Sequence, residues 1–164
     1  MGYEGSWSGM RKYLEKDMIA DSLKGRIRYG CTRYTGMDGW KIFEVCIDNK
    51  QIKRFSYETF FVYLEKEVYK KVGITWDELF EYIENNPVNT RDVYVGSEFT
   101  DALSEYRNQH IKISLTSNNP IVRMFAILDR RVGKRTLEKI KDTLDEQPDW
   151  LRQFYILRFD AEDI

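Results

Sequence analysis

Trp7, Met10, Leu14 and Met18 recur at three- and four-residue spacing, an apolar stripe that predicts a first helix over residues 7–19. Gly25 breaks it. Apolar and polar side chains then alternate over residues 26–34 and again over 40–48, on either side of the turn cluster Thr35-Gly36-Met37-Asp38-Gly39, which predicts a β-hairpin. Ile27, Tyr29 and Cys31 share one parity on the first strand, and Phe43, Val45 and Ile47 share one on the second. If these form the buried face, Cys31 points in and Cys46 out. Asp48-Asn49-Lys50 makes a further turn into a short third strand ending at Phe55. A meander with one face covered by helices satisfies this pattern.

From Ser56 onward the period lengthens to that of helices. Ser56 caps a helix over 57–71 with Phe60, Phe61, Leu64 and Val68 inward, and Gly73 ends it. Thr75-Trp76-Asp77-Glu78 is a capping box, opening a helix that carries Leu79, Phe80 and Ile83. Asn85-Asn86-Pro87 stops that helix, and residues 88–95 form a connection or a short strand. Ser97 caps a helix through Phe99, Leu103 and Tyr106. Ile111, Ile113 and Leu115 suit either its continuation or a strand. Asn118-Asn119-Pro120 places an Asn cap before a proline in the first turn, so 121–131 is helical. Leu137, Ile140 and Leu144 extend the stripe beyond Gly133, and Gln147-Pro148-Asp149 opens a last helix over 149–160.

Two of these helices resemble each other. Arg123, Phe125, Ile127 and Leu128 recur as Arg152, Phe154, Ile156 and Leu157 at a constant offset, as helical solenoids do. Val122-Arg123, Ala126 and Leu128 resemble the inner helix of a HEAT-type repeat. In the second copy Tyr155 stands where the pattern wants a small residue. The expected fold class is therefore α+β: a small antiparallel β-meander of about three strands packed on helices, followed by a HEAT-like helical part. The expected division is 1–96 and 97–164, together one compact unit. The whole chain also resembles an uncharacterised family of bacterial and phage-associated proteins. Ser22-Leu23-Lys24-Gly25-Arg26, Asn119-Pro120-Ile121-Val122-Arg123 and Leu128-Asp129-Arg130-Arg131-Val132-Gly133-Lys134-Arg135 carry that resemblance. It implies an architecture and a bacterial setting, but no chemistry.

Composition narrows the function classes. Apolar residues make up 42% and aromatics 15% of 164 residues, so a core is within reach. The net charge of −1 gives no overall attraction to nucleic acid or to an anionic membrane. No apolar run is long enough to span a bilayer, and no signal-peptide pattern is visible. Gly2 and Ser6 match a myristoylation motif only formally, with Tyr3 and Glu4 fitting it poorly. Cys31 and Cys46 do not make a disulfide framework, which suits a reduced, cytoplasmic protein.

Candidate chemistry is sparse. The single histidine, His110, lacks partners at metal-ligand spacing. Gly133-Lys134-Arg135-Thr136 lacks the upstream glycine of a P-loop. Glu44, Asp48 and Lys50 could imitate part of a metal-dependent nuclease site, but an ordinary β-turn is the favoured reading, since no second acidic pair has the right context. No catalytic residue, cofactor or metal is expected. Charge is uneven, however. Residues 120–141 hold seven basic against two acidic side chains, and 142–164 the reverse, an imbalance that pairing between the two segments would cancel. Arg26 and Arg28 share the outer hairpin face with Tyr34 and Trp40, while Arg33 has the inner parity. The candidate interaction surface is Lys24, Arg26, Arg28, Trp40, Arg123, Arg130, Arg131, Lys134, Arg135 and Arg152. The leading expectation is a non-catalytic protein-binding accessory protein of a bacterium or phage, of immunity or defence type. A nucleic-acid-binding protein using the hairpin and HEAT-helix arginines is the alternative, and a metal-dependent enzyme the second. A membrane partner is not expected.

Overall fold

A computed structural model describes residues 5–33 and 40–164. The turn cluster at 35–39, the outer-face Tyr34 and the N-terminal Gly2 lie outside the described residues. The first apolar stripe folds as α1 (Trp7–Lys12), where the Ser6 hydroxyl accepts the Gly9 N–H at 3.0 Å. It runs on as a π-turn over Tyr13–Asp17. Strands β1 (Ile27–Arg33), β2 (Lys41–Ile47) and β3 (Lys50–Phe55) form an antiparallel sheet in that order, with Ile27 opposite Ile47 and Phe43 opposite Phe55. Asp48 and Asn49 both take positive φ, as a two-residue hairpin loop of matching twist requires. The α+β class read from the sequence is the observed one.

Helices follow: α2 (Tyr57–Tyr63, with a π-turn over Leu64–Val68), α3 (Trp76–Asn85), α4 (Gly96–Arg107), α5 (Ile111–Leu115), α6 (Pro120–Leu128), α7 (Lys134–Ile140) and α8 (Asp149–Ala161). The caps at Ser56, Thr75 and Asn119 are all made. Several expectations need correction. The α4–α5 stretch is not continuous, because the chain turns at Asn108–His110 and the His110 Nδ1 accepts the Lys112 N–H to start α5. Ser97 does not cap α4. The cap position is Val95, whose N–H is bound by the Glu98 carboxylate. Of the two readings left open for residues 88–95, the connection is the observed one, with a 3-10 turn over Val88–Thr90. Val68, assigned inward, is exposed, and so is Phe80 on α3.

The inner sheet face carries Ile27, Tyr29, Phe43, Val45 and Phe55, all buried. Cys31 packs against this core, and Cys46 lies on the opposite face. Rings from the helices continue the layer: Phe43 stacks on Phe99 at 4.4 Å, Phe99 meets Phe125 at 5.4 Å, and Phe125 stacks on Tyr106 at 5.4 Å. α4 comes this close to β2 because it starts at a glycine. A Cβ on Gly96 would collide with the Lys41 carbonyl oxygen. The main core draws on both the sheet and the C-terminal helices. A smaller cluster of Phe60, Leu64, Ile74, Leu79, Val93 and Val95 lies under α2 and α3.

A buried polar node joins the N-terminal segment to α6 and α8. Asp129, 1% exposed, follows the end of α6. Its carboxylate accepts the Tyr106 hydroxyl, the Arg131 backbone N–H at 2.7 Å and the Arg131 guanidinium at 2.7 and 3.0 Å. Arg158 reaches from α8 to donate to the carbonyls of Ile127 (2.8 Å), Asp129 (2.9 Å) and Val132 (2.7 Å). Helix ends leave carbonyls without partners, and Arg158 supplies those partners here. Residues 18–20 add an antiparallel bridge: Arg130 N–H donates to Met18 O and Ala20 N–H to Leu128 O, at 2.8 and 2.9 Å. Asp129→Ala strands the buried Tyr106 hydroxyl. Chemical denaturation should show a loss of about 3 kcal/mol, the lower end for a broken buried pair because Arg131 can turn to water. A loss below about 1 kcal/mol, the level of an ordinary neutral hydrogen bond, would remove the node from this role.

Candidate interaction surface

Five aromatic rings meet where the start of β2 faces α2 and α3. Ser56 sets the direction of α2: its N–H donates to Tyr94 O at 3.1 Å, and its hydroxyl accepts the Thr59 N–H at 3.1 Å. The reciprocal Thr75–Glu78 box sets the start of α3. Trp76, the first residue of α3, becomes the hub. Its ring lies 4.9 Å from Trp40, 5.1 Å from Tyr57, 4.7 Å from Phe61 and 5.9 Å from Phe80. Trp40 and Tyr57 are 4.7 Å apart. Most of these contacts are edge-to-face, the favoured arrangement of ring quadrupoles.

The group is only half covered. Trp40, Tyr57, Phe61 and Trp76 are partly exposed, Phe80 is 48% exposed, and Val62 on α2 is 45% exposed. Between the rings and the sheet lies a pocket of about 220 Å³ lined by Trp40, Lys41, Ile42, Ser56, Tyr57, Glu58, Phe61 and Trp76. Glu58 is the acidic side chain of its lining, and the two helices beside it are acidic overall. Residues 56–86 contain seven acidic and three basic side chains, and Asp77, Glu81 and Glu84 form an exposed row on α3. Sequence periodicity placed Phe61 inward and Trp40 on the outer hairpin face, and did not bring the five rings together. The available signal was excess: Tyr57, Phe60, Phe61, Tyr63 and Leu64 occupy more of one short helix than a single buried stripe does.

Of the surface expected from sequence, only Trp40 belongs to this group. Arg26 makes a bidentate pair with Asp48 at 2.7 and 3.0 Å, and Arg28 donates to Asn49. These contacts brace the β2–β3 turn, so Asp48 is a turn residue held by an arginine, and that pairing keeps its carboxyl below its ordinary pKa. Lys24 pairs with Asp21. Arg123 donates to Ser117 O and to the Gln147 side chain, while Arg152 donates to Gln147 O and pairs with Asp149. The two repeat-related arginines thus converge on Gln147. Arg131 serves Asp129. Arg130, Lys134 and Arg135 stay exposed on the turn after α6 and the first turn of α7. The ion pairs Arg131–Asp129, Arg152–Asp149 and Arg158–Glu162 each lie within one charged segment, so they do not cancel the imbalance between the segments.

Besides Arg158, the buried Arg91 and the partly buried Lys53 escaped the sequence reading. Arg91, 6% exposed, makes a bidentate pair with Glu98, donates to the carbonyls of Asn86 and Val93, and lies over the rings of Phe60 and Tyr94. It connects the α2–α3 cluster to α4. Lys53 is opposite Val45 in the register and so points to the core face of edge strand β3. Its ammonium donates to Asp92 O and sits 5.2 and 5.3 Å from the rings of Tyr94 and Trp150.

The molecule is an α+β protein with a half-exposed aromatic face, and its described residues contain no cluster of three or more potential metal ligands. Nor is any helix among the described residues long and apolar enough to cross a membrane. The chain belongs to the SF0329 protein family, whose family model matches residues 6–159. Comparison with curated proteins and with solved structures gave no match.

Burial lowers the Lys53 pKa from its ordinary value of 10.5 to about 8. Between those values the unfolded chain holds the proton that the folded chain has released, so stability rises with pH across that window. The shift corresponds to at most about 3 kcal/mol. Thermal melts of wild type and Lys53→Met should show a difference that is constant below pH 8 and shifts in favour of the wild type from pH 8 to 10. A pH-independent difference would refute the placement of this charge.

Proposed function

We propose that the protein is a non-catalytic protein-binding module that docks a partner on the aromatic face of α2 and α3. The observation that carries this reading is the half-exposed ring group centred on Trp76 and continued by Phe80, with Val62 exposed on α2 one turn after the pocket-lining Glu58. Contiguous exposed apolar surface is costly in a free protein, and aromatic residues are enriched where proteins meet. Such a group also supplies the large, rigid anchors that dominate binding energy. A bacterial or phage accessory role, in immunity or defence, is one setting for this docking. HEAT-type kinship of α6 and α8 belongs to the same proposal. Its support is the buried pairs Phe125/Phe154 and Leu128/Leu157 and the convergence of Arg123 and Arg152 on Gln147.

Site-specific photocrosslinking in the source organism tests the docking. A benzophenone side chain at Phe80 should capture a defined protein, and the same group at Ile113, exposed on α5, should not. The Phe80 product should fall at least tenfold when Val62→Asp is added. Equal labelling from both positions, or none from Phe80, would reject this face as the docking site.

One observation favours a second reading. Arg130, Lys134 and Arg135 are exposed beside a polar cleft between residues 20–22 and α8. They could contact phosphates, whereas Arg26, Arg28 and Arg131 are held by contacts within the protein. If this reading holds, single-stranded nucleic acid binds at low salt, weakens steeply as salt rises, and is lost in Arg130→Ala/Arg135→Ala. Salt-independent binding, or binding unchanged in the double variant, would exclude it.

A further inference from the structure

The pocket at Trp76 has a chemistry of its own. Its walls are the rings of Trp40, Tyr57, Phe61 and Trp76, and Glu58 stands among the lining residues. Glu58 is exposed and makes no ion pair or hydrogen bond with the described residues. An apolar occupant would leave that carboxylate unused at the edge of a dry site. A cation would use both features, because ring faces attract positive charge and the carboxylate completes the pairing. The surroundings favour the same sign. Lys71 is one of only three basic side chains in residues 56–86, and it is paired with Glu78 at 2.9 Å. The exposed row Asp77, Glu81 and Glu84 continues the negative field along α3. Lys41 also lines the pocket and opposes this field, so its removal has a predictable sign.

We infer that this pocket receives a lysine or arginine side chain from a basic segment of the partner. The inference rests on the docking reading above and specifies the partner's chemistry. A free small cation would fill the pocket and leave Phe80 and Val62 uncovered. A side chain carried by a polypeptide brings flanking residues that cover both. Clusters of unlike type elsewhere do not compete for this role: the groove between β3 and α8 is open and carries Asp48, Lys50 and Asp160 together.

Two probes of equal shape test the recognition. Choline is cationic, and 3,3-dimethylbutan-1-ol is its neutral counterpart. Both are titrated into the full chain while the indole N–H resonances of Trp40 and Trp76 are followed by NMR. Choline should bind about tenfold more tightly than the alcohol, within the range of a desolvated cation–π contact. Glu58→Gln should weaken choline binding at least threefold, and Lys41→Gln should strengthen it. Both substitutions leave the rings in place, so a loss of fold does not confuse the result. Equal binding of the two probes, or effects of the wrong sign, would overturn the inference. A second arm uses the Phe80 crosslink. Choline should suppress it, as should an acetylated arginine-rich peptide, while the same peptide with glutamine at each arginine should not. Choline binding without suppression would make the pocket a small-molecule site and overturn the inference. A crosslink that survives while both probes fail would leave the docking face standing and remove only its cationic occupant. Absence of the crosslink removes the docking reading itself.

Discussion

The buried carboxylate of Asp129 is the constraint on which the arrangement of the C-terminal helices depends. A carboxylate out of water is tolerated only when its lone pairs are filled, and here a tyrosine, a guanidinium and a backbone amide fill them. Those donors come from α4 and from the turn after α6. The same turn is gripped from α8 by Arg158, which donates to three of its carbonyls. Burial pulls the Arg158 pKa below the ordinary arginine value, and its neighbour Glu162 opposes that pull. Residues 18–20 then bridge to the same stretch of backbone. Four separate parts of the chain therefore meet around one short break between helices.

From this node the apolar layer runs back to the sheet. Tyr106, which binds Asp129, stacks on Phe125. Phe125 meets Phe99, and Phe99 stacks on Phe43 of β2. The path works because Gly96 lets α4 approach β2 without a side chain between them. The α2–α3 layer stands apart. It has its own small cluster and is tied to α4 through the buried Arg91–Glu98 pair and to the Tyr94 backbone through Ser56. This separation bears on the proposed docking. Tyr57 and Phe61 of the ring group pack against the smaller cluster and not the main core, so substitutions on the proposed docking face can be accommodated while the main core keeps its packing.

Local signals were legible in the sequence wherever a local rule decides the structure. Ser56, Thr75 and Asn119 cap helices because a short side chain reaches an unpaired N–H two or three residues on. Alternation located all three strands and the buried parity of Tyr29, Phe43 and Val45. The partners of most of the arginines were not legible, for a physical reason. A guanidinium is long, and its partners here are carbonyls and carboxylates brought close by tertiary structure. Arg26 finds Asp48 across a hairpin, Arg91 finds Glu98 across a loop, and Arg158 finds the end of a distant helix. Charge counts along the chain contain none of this. The aromatic face was hidden for a related reason. Periodicity states that Phe60 and Leu64 share a stripe, but not that the adjacent stripe of Tyr57 and Phe61 is left half covered.

The sheet edge offers a contrast that bears on the meaning of that exposure. An open edge strand invites unwanted pairing, and an inward-pointing lysine is one way to discourage it. On β3 that lysine is Lys53, held between the rings of Tyr94 and Trp150 despite the cost of burying its charge. The chain therefore guards one adhesive element at some expense in stability. The same chain leaves Phe80 and Val62 exposed on α3 and α2, the helices that carry the aromatic pocket, where a lysine or glutamate would have reduced the exposed apolar surface. Protection of the edge beside exposure of the rings accords with the proposed docking role: an open edge would bind any strand, whereas a ring pocket with a carboxylate would select by shape and charge.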